Sequence, residues 1–259
     1  MKEIKKYLDT RIGEYSFYFE DIDSGYTYSL NDKAIMPAAS CIKLPIAMYL
    51  LKEVQSNKVT LSEKVFIKEE EKVSGSGIIH ELDDREYSIE ELLKLMIIQS
   101  DNTAANKLID ILGFDNINNA FKTMELKNTF LKRKMGDVQA KEKGLENLSS
   151  SFDLAHCFKM LHLNSYLEDR YSEMLLNILK RTQNRVKIPY YIPKREWHNI
   201  GNKSGSLSGI ENDAALFNTE KGNFVFVAMS KSLPNNIYGI VTLSRMGKMM
   251  WDIVERNWK

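Results

Sequence analysis

The order of strand-like and helix-like segments constrains the fold of this chain more than any other feature of its sequence. Residues 15–19 and 26–30 alternate in side-chain character on either side of Asp23-Ser24-Gly25, which is the pattern of a β-hairpin. Near the C-terminus, the run Phe-Val-Phe-Val-Ala-Met at 224–229 is typical of a buried strand. Because two strands alone make a marginal sheet, we expect strands from both ends of the chain to pair.

The middle of the chain has the spacing of helices. Ser88 and Glu91 form a capping box in front of an apolar helix face. A further helical segment at 103–112 stops at Gly113, a residue type that commonly follows the last turn of a helix. The spacing of apolar residues is therefore typical of strands near both ends of the chain and typical of helices in its middle.

Two consecutive domains are one interpretation of this order, and we favour a single fold. The predicted class is α+β, of the α/β sandwich type: an antiparallel sheet flanked by N- and C-terminal helices, with an inserted all-helical lobe. We expect one unit over residues 1–259. It would divide into a sheet subdomain, 1–55 plus 196–259, and a helical subdomain, 56–195.

Composition excludes several classes of function. With 36 basic and 35 acidic residues the formal charge is +1. The sequence contains no basic stripe of the kind that would indicate nucleic-acid binding. The two cysteines, Cys41 and Cys157, match neither a disulfide framework nor a zinc motif, and the four histidines form no metal-binding pair. No phosphate-binding loop is present. We therefore predict no metal and no cofactor.

The sequence as written begins without an apolar leader and has no run of about 18 apolar residues. We expect no membrane span and a cytoplasmic location as written. If a leader has been removed, a secreted or cell-surface location is expected instead.

Ser40-Cys41-Ile42-Lys43 is the first candidate for chemistry, at the start of a predicted helix. Residues three apart share a helix face, so the lysine amine could reach the serine hydroxyl. A lysine whose pKa is lowered by burial could accept the proton of the serine, and the helix N-terminus would stabilise an oxyanion. The alternative is a capping serine beside a surface lysine. Cys41 is expected to be a small buried hydrophobe.

Two further segments could complete such a site. In Ser100-Asp101-Asn102, Ser100 could relay a proton and Asn102 could face the substrate, although all three residue types are also common helix caps. The third segment runs from Lys203 to Ser206, with Ser204 and Gly205 between them, on a predicted strand. Its cation and hydroxyl could hold a substrate carboxylate, while Gly205 would leave the approach clear and the Ser206 N–H would complete an oxyanion hole. The alternative is an exposed edge followed by a turn.

Together the three segments resemble the Ser-x-x-Lys, Ser-Asp-Asn and Lys-Thr-Gly signature of class A β-lactamases and penicillin-binding proteins, with serine in place of the threonine. Their order and spacing are similar to those of the class A family. The stretch Glu90–Gly113 and the Asn212-Asp213-Ala214-Ala215 segment also resemble that family. The similarity covers roughly residues 14 to 257.

The resemblance implies a role for each of these residues. Ser40 would attack a lactam or peptide carbonyl, with Lys43 as proton acceptor and Ser100 passing a proton to the leaving nitrogen. Lys203 and Ser204 would bind the carboxylate of the substrate, and the N–H groups of Ser40 and Ser206 would form the oxyanion hole. The implied partner is a small molecule, either a β-lactam or an acyl-peptide or ester with a carboxylate, and the protein is expected to be a monomer.

The chain departs from the family where the deacylating glutamate is expected, near residue 136. The family's Glu-Pro-Glu-Leu-Asn pattern is missing, and Asp137 is the nearest acid, with Glu142 and Glu146 further along. Without a base, attack of water on an acyl-enzyme slows by about 100-fold to 10,000-fold. The expected function is a class A-like serine hydrolase with weak deacylation. The alternatives are a D,D-peptidase or esterase of the same fold, or a β-lactam sensor that stays acylated.

Overall fold

The two ends of the chain meet in one antiparallel sheet. In the computed structural model, which describes residues 1–258, the hairpin strands β1 (Glu14–Asp21) and β2 (Thr27–Leu30) pair with each other. The C-terminal strands β7 (Ile200–Leu207), β8 (Ile210–Thr219) and β9 (Gly222–Lys231) continue the sheet. Their order is β2-β1-β9-β8-β7, with β1 next to β9. The predicted pairing of the two chain ends is confirmed.

Both faces of this sheet are buried, because side chains of alternate residues point to opposite faces. One face contributes Phe17 and Phe226 to a core that it shares with the first and last helices. The opposite face contributes Tyr18 and Val227 to a larger core, which it shares with the helices of the middle of the chain. The sheet is therefore a central layer between two helical layers, as the predicted fold class requires.

Nine helices flank the described strands. They are α1 (Lys2–Leu8), α2 (Lys43–Gln55), α3 (Ile89–Ile98), α4 (Asn102–Leu112), α5 (Phe114–Thr123), α6 (Val138–Glu142), α7 (Ser151–His162), α8 (Asp169–Leu179) and α9 (Asn236–Asn257). None of these helices is both long and apolar enough to cross a membrane. The division of the chain into two subdomains with the stated boundaries stays a prediction.

Local sequence signals account for the ends of the central helices. Ser88 accepts the N–H of Glu91 at 3.1 Å, and the Glu91 carboxylate accepts the N–H of Ser88 at 2.7 Å, so the predicted capping box is formed. The helix α4 begins after Asp101, whose carboxylate accepts the Ala104 N–H at 2.9 Å, and it ends at Gly113 with φ of +80°.

Short strand pairs fix the loops around the sheet. The pair β3 (Met36–Pro37) and β6 (Leu148–Ser149) joins the segment before α2 to the segment before α7. A second pair, β4 (Lys64–Ile67) and β5 (Arg85–Ser88), leads into α3. The first of these pairs holds the end of the loop 127–147 beside the turn that precedes α2.

Candidate active site

The turn that carries Ser40 is a short 3₁₀ helix, Ala39–Ile42, which runs directly into α2. Ala39 has φ of +48°, a left-handed conformation that alanine rarely adopts and that the surrounding contacts must maintain. Pro45 lies in the first turn of α2, where the missing N–H of proline costs nothing. Ser40 is half-buried at the rim of a cleft.

Cys41 is fully buried beside this turn, as predicted. Its thiol donates to the carbonyl oxygen of Lys203 at 3.3 Å, and burial raises the pKa of the thiol to about 12. The cysteine is therefore a protonated packing group that links the Ser40 turn to β7.

Lys43 is fully buried, and its ammonium faces the Ser100–Asn102 segment. Nζ donates to the carbonyl oxygen of Ser100 at 2.6 Å and to Oδ1 of Asn102 at 2.9 Å, with Oγ of Ser100 at 3.3 Å. The sequence spacing predicted a contact with the Ser40 hydroxyl. In the part of the chain that the structure describes, the hydrogen bonds of this ammonium go to Ser100 and Asn102, because that segment offers an acceptor for each of its three N–H groups.

Burial lowers the pKa of Lys43 well below its ordinary value. The nearby positive charge of Lys203 lowers it further, whereas Asp101 and Cys41 act in the opposite direction. A buried amine with a lowered pKa can become neutral and accept a proton near physiological pH.

The hydroxyl of Ser100 lies between two ammonium groups. It is 3.3 Å from Nζ of Lys43 and 3.0 Å from Nζ of Lys203. Ser100 has φ of +56°, which turns its side chain toward both lysines at the junction of α3 and α4. The neighbouring Asp101 maintains this turn, because its buried carboxylate also accepts the N–H groups of Ile78 and Ile79 at 2.7 and 2.9 Å.

Lys203 lies on β7, the edge strand, with 1% of its surface exposed. Its ammonium donates to the carbonyl oxygen of Ser204 at 2.9 Å as well as to Ser100. Burial lowers the pKa of Lys203 to about 8. This cation is the only charged residue in the described lining of the cleft.

Gly205 allows β7 to lie directly on the turn that carries Ser40. A Cβ at this position would be 2.8 Å from the backbone nitrogen of Ser40, 2.9 Å from Cβ of Ala39 and 3.0 Å from the carbonyl oxygen of Ala38. Any side chain would therefore separate the strand from the turn. The backbones that carry the Ser40 and Ser206 amides are adjacent for this reason.

The cleft formed by these elements has a volume of about 310 Å³, within the size range of small-molecule sites. The helical side contributes Ser76, Gln99 and Ser100, and the sheet side contributes the strand β7. Across one end of the cleft, Nε2 of Gln99 donates to Oε1 of Gln183 at 2.7 Å. The lining residues are Ser40, Ser76, Ile97, Ile98, Gln99, Ser100, Thr182, Gln183, Asn184, Lys203, Ser204, Gly205 and Ser206.

Asn102 lies next to this lining and does not itself form part of it. Its amide is used on both sides: Oδ1 accepts from Lys43, and Nδ2 donates to the carbonyl oxygen of Ser74 at 3.2 Å. The predicted role of Asn102 in facing the substrate stays a prediction.

The three acidic candidates for deacylation lie outside the described lining of the cleft. Oδ1 of Asp137 accepts the N–H of Ala140 at 2.9 Å and so caps α6. Glu146 binds Arg133 at 2.7 Å, and Glu142 lies in α6. A catalytic role for Asp137 stays a prediction.

Sequence reasoning missed two residues that hold the sheet edge. Lys187 and Glu211 form an ion pair at 2.6 Å, and each has 1% of its side chain exposed. Neither residue belongs to a motif. Glu211 lies on β8, whereas Lys187 lies in the segment between α8 and β7, and only the packing of that segment against the sheet brings the two together. Asn212, which the sequence resemblance had included, donates to the carbonyl oxygens of Pro37 and Ala38 at 2.8 and 3.2 Å and so links β8 to the turn that carries Ser40. Among the described residues, no cluster of three His, Cys, Asp or Glu side chains could hold a metal.

The fold is that of the β-lactamase-type serine hydrolases. A profile of the beta-lactamase enzyme family matches residues 1–254, and the chain belongs to that family. The resemblance found in the sequence is confirmed.

Individual relatives are similar over most of the chain. β-Lactamase BRO-1 of Moraxella catarrhalis is 29% identical over 229 residues, which are 83% of this chain and 69% of that protein. A β-lactamase from Sphaerobacter thermophilus is 25% identical with a TM-score of 0.90, covering 98% of this chain and 96% of that chain. PBP-A is 26% identical with a TM-score of 0.89, covering 98% and 95%. A substituted form of PBP-A, with the same identity and TM-score, is an acyl-enzyme complex with penicillin G.

Proposed function

We propose that this protein is a class A-like serine hydrolase that forms an acyl-enzyme at Ser40 and releases the acyl group slowly. The observation that carries the proposal is the placement of the Ser100 hydroxyl between the ammonium groups of Lys43 and Lys203, at one cleft with Ser40. This arrangement provides a nucleophile, a proton route and an anion site without histidine or metal.

Acylation follows from these groups. Oγ of Ser40 attacks the carbonyl carbon of the substrate and transfers its proton to the neutral amine of Lys43. The carbonyl oxygen becomes an oxyanion, which the N–H groups of Ser40 and Ser206 stabilise. When the C–N bond breaks, the proton on Lys43 passes through the Ser100 hydroxyl to the leaving nitrogen. The ammonium of Lys203 binds the carboxylate of the substrate.

Hydrolysis of the acyl-enzyme requires a base that activates water, and no acid occurs in the described lining of the cleft. Two acids of the 133–147 segment are engaged elsewhere, Asp137 as a helix cap and Glu146 with Arg133, and Glu142 lies in α6. A missing general base slows a step by about 100-fold to 10,000-fold. The penicillin G acyl-enzyme of substituted PBP-A supports a long-lived adduct on this fold.

The same lack of an acid supports a penicillin-binding alternative, in which the chain acts as a D,D-peptidase, an esterase or a sensor that stays acylated. The lifetime of the acyl-enzyme separates these functions. A β-lactamase releases penicillin rapidly, a sensor holds it for hours, and a peptidase turns over D-Ala-D-Ala peptides while penicillin blocks it.

Mass spectrometry of the intact protein after incubation with penicillin G tests the proposal. We expect one adduct of the mass of the antibiotic, located at Ser40, and a nitrocefin burst of one equivalent followed by slow turnover. Ser40→Ala should form no adduct, whereas the matched variant Ser76→Ala, in the same cleft, should still form it. An adduct on Ser40→Ala would refute the assignment of the nucleophile. Rapid linear turnover of nitrocefin without a burst would refute slow release.

A further inference from the structure

A buried ion pair lies against β7, outside the described lining of the cleft. Nζ of Lys187 is 2.6 Å from Oε2 of Glu211, and both side chains are 1% exposed. The ammonium also donates to the carbonyl oxygens of Gly205 and Asn212 at 2.8 and 2.9 Å, and to Oγ of Ser206 at 3.1 Å. The pair is thus bound to the strand edge that follows Lys203.

The contact with Gly205 has a specific consequence for the next amide. The carbonyl of Gly205 and the N–H of Ser206 belong to one planar trans peptide, in which the two groups point in opposite directions. A cation bound to the carbonyl oxygen of Gly205 therefore fixes the orientation of this peptide plane, and with it the direction of the Ser206 N–H bond. It also polarises the peptide, because hydrogen bonds in a chain strengthen one another. The Ser206 N–H is the oxyanion donor of the proposed mechanism.

Glu211 holds the ammonium at this place. Its Oε2 accepts the hydroxyl of Ser206 at 2.8 Å and its Oε1 accepts Nδ2 of Asn236 at 2.6 Å. Ser206 and Glu211 are direct partners in the pairing of β7 with β8, so both ends of the ion pair are attached to the same two strands. The ammonium can therefore not rotate away from the Gly205 carbonyl without losing several hydrogen bonds.

Stability alone is a weak explanation for this pair. The cost of removing two charges from water offsets much of their attraction, and apolar replacements of buried pairs are often neutral or stabilising. The Lys187 ammonium instead has four hydrogen-bonding partners, one of which is the Gly205 carbonyl. Together these contacts fix the position of the ammonium relative to that carbonyl.

We propose that Lys187, held by Glu211, is a positioning residue that orients and polarises the Gly205–Ser206 peptide as an oxyanion donor. This inference rests on the proposed function for its effect on rate, and on the geometry alone for its effect on the amide.

The test variant is the double substitution Lys187→Met with Glu211→Gln, which removes the ammonium without leaving a buried charge unpaired. We expect the rate constant for acylation by penicillin G to fall about tenfold. This is less than the roughly 100-fold to 1,000-fold effect of losing an oxyanion donor, because the Ser206 N–H is retained and only its orientation and polarisation change. The dissociation constant of the non-covalent complex should stay within about twofold of wild type. The ester carbonyl stretch of the acyl-enzyme should move to higher frequency, because the oxyanion donor is weaker.

Two controls distinguish this role from a merely structural one. Glu211→Gln alone keeps the ammonium but removes the carboxylate that holds it, so its carbonyl frequency should lie between those of wild type and the double variant. The pair Lys159–Glu20 lies elsewhere on the sheet, bound to β1, and its double substitution Lys159→Met with Glu20→Gln should leave both the frequency and the rate unchanged.

Nuclear magnetic resonance of the free protein provides a readout that needs no acylation. The amide ¹⁵N resonance of Ser206 should move upfield in the double variant, and wild type should show a hydrogen-bond coupling between Nζ of Lys187 and the Gly205 carbonyl carbon. Absence of that coupling overturns the inference even if the double variant does not fold. A wild-type rate and carbonyl frequency in the folded double variant overturn it too, while the proposed function stands. If wild type forms no acyl-enzyme, the proposed function fails and the Ser206 resonance alone decides the orienting role.

Discussion

The substitution Gly205→Ala tests whether the strand that carries Lys203 must lie directly on the turn that carries Ser40. The new Cβ would be 2.8 Å from the backbone nitrogen of Ser40 and 3.0 Å from the carbonyl oxygen of Ala38. Both contacts are with backbone atoms, which cannot rotate away as a flexible side chain could. Either β7 or the turn must therefore move.

The size of the movement follows from the contact distances. An ordinary van der Waals contact begins at 3.4 Å, so the two backbones must separate by about 0.6 Å at Ser40. Overpacking of this kind costs about 1–3 kcal/mol of unfolding free energy. The separation also parts the Ser40 and Ser206 amides. Since a misplacement of about 1 Å costs about 100-fold in rate, we expect acylation to slow by about 10-fold to 100-fold.

Stopped-flow measurement of the nitrocefin burst gives the acylation rate, and urea unfolding gives the change in stability. Gly201→Ala is the matched control, because Gly201 lies on the same strand and its nearest neighbour, Cβ of Leu179, would be 3.2 Å away. That variant should acylate within about twofold of wild type. If Gly205→Ala also acylates within about twofold of wild type, the close approach of strand and turn does not organise the site, and the reasoning is wrong.

Three further predictions concern charge and loop anchoring. Because the pKa of Lys203 is about 8, the fraction of this lysine that is protonated falls about tenfold between pH 7 and pH 9. The second-order rate constant for acylation should fall by the same factor, and a rate constant that does not change with pH would contradict the proposed role of Lys203 in binding a substrate carboxylate. Asp101→Ala leaves three backbone N–H groups without an acceptor and should lower the unfolding free energy by about 3 kcal/mol, with a smaller loss for Asp101→Asn. Asn147→Ala removes three side-chain hydrogen bonds to residues 132–133 and should lower the free energy of urea unfolding by about 2 kcal/mol. It should also speed amide hydrogen exchange across residues 132–147, and an unchanged exchange rate would show that other contacts hold this loop.

Much of the fold could be predicted from the sequence, because hydrophobic periodicity encodes which face of an element is buried. The hairpin at 15–30 and the helix that ends at Gly113 were predicted from period and end signals alone. The pairing of β1 with β9 followed from the weakness of a two-stranded sheet.

The site was less accessible to sequence reasoning, since its geometry depends on backbone conformations that the residue types do not announce. The resemblance implied a proton relay at Ser100, but serine rarely adopts a left-handed φ, and no residue type indicated that its hydroxyl would lie between two lysines. The contact of Lys43 with Asn102 likewise depends on how α4 packs against α2. The Lys187–Glu211 pair depends on how the segment between α8 and β7 packs against β8, which a motif search does not contain.

In the proposed mechanism, the distribution of charge connects substrate binding with activation of Ser40. Lys43, Lys187 and Lys203 are each no more than 1% exposed, in a chain whose formal charge is only +1. Lys187 has a carboxylate partner at 2.6 Å, whereas the ammonium groups of Lys43 and Lys203 bind neutral oxygens. A substrate carboxylate would therefore supply the counter-charge that Lys203 lacks. Before binding, the charge of Lys203 lowers the pKa of Lys43 and favours the neutral amine. In the proposed mechanism, the cation that binds the substrate carboxylate thus also lowers the pKa of the base.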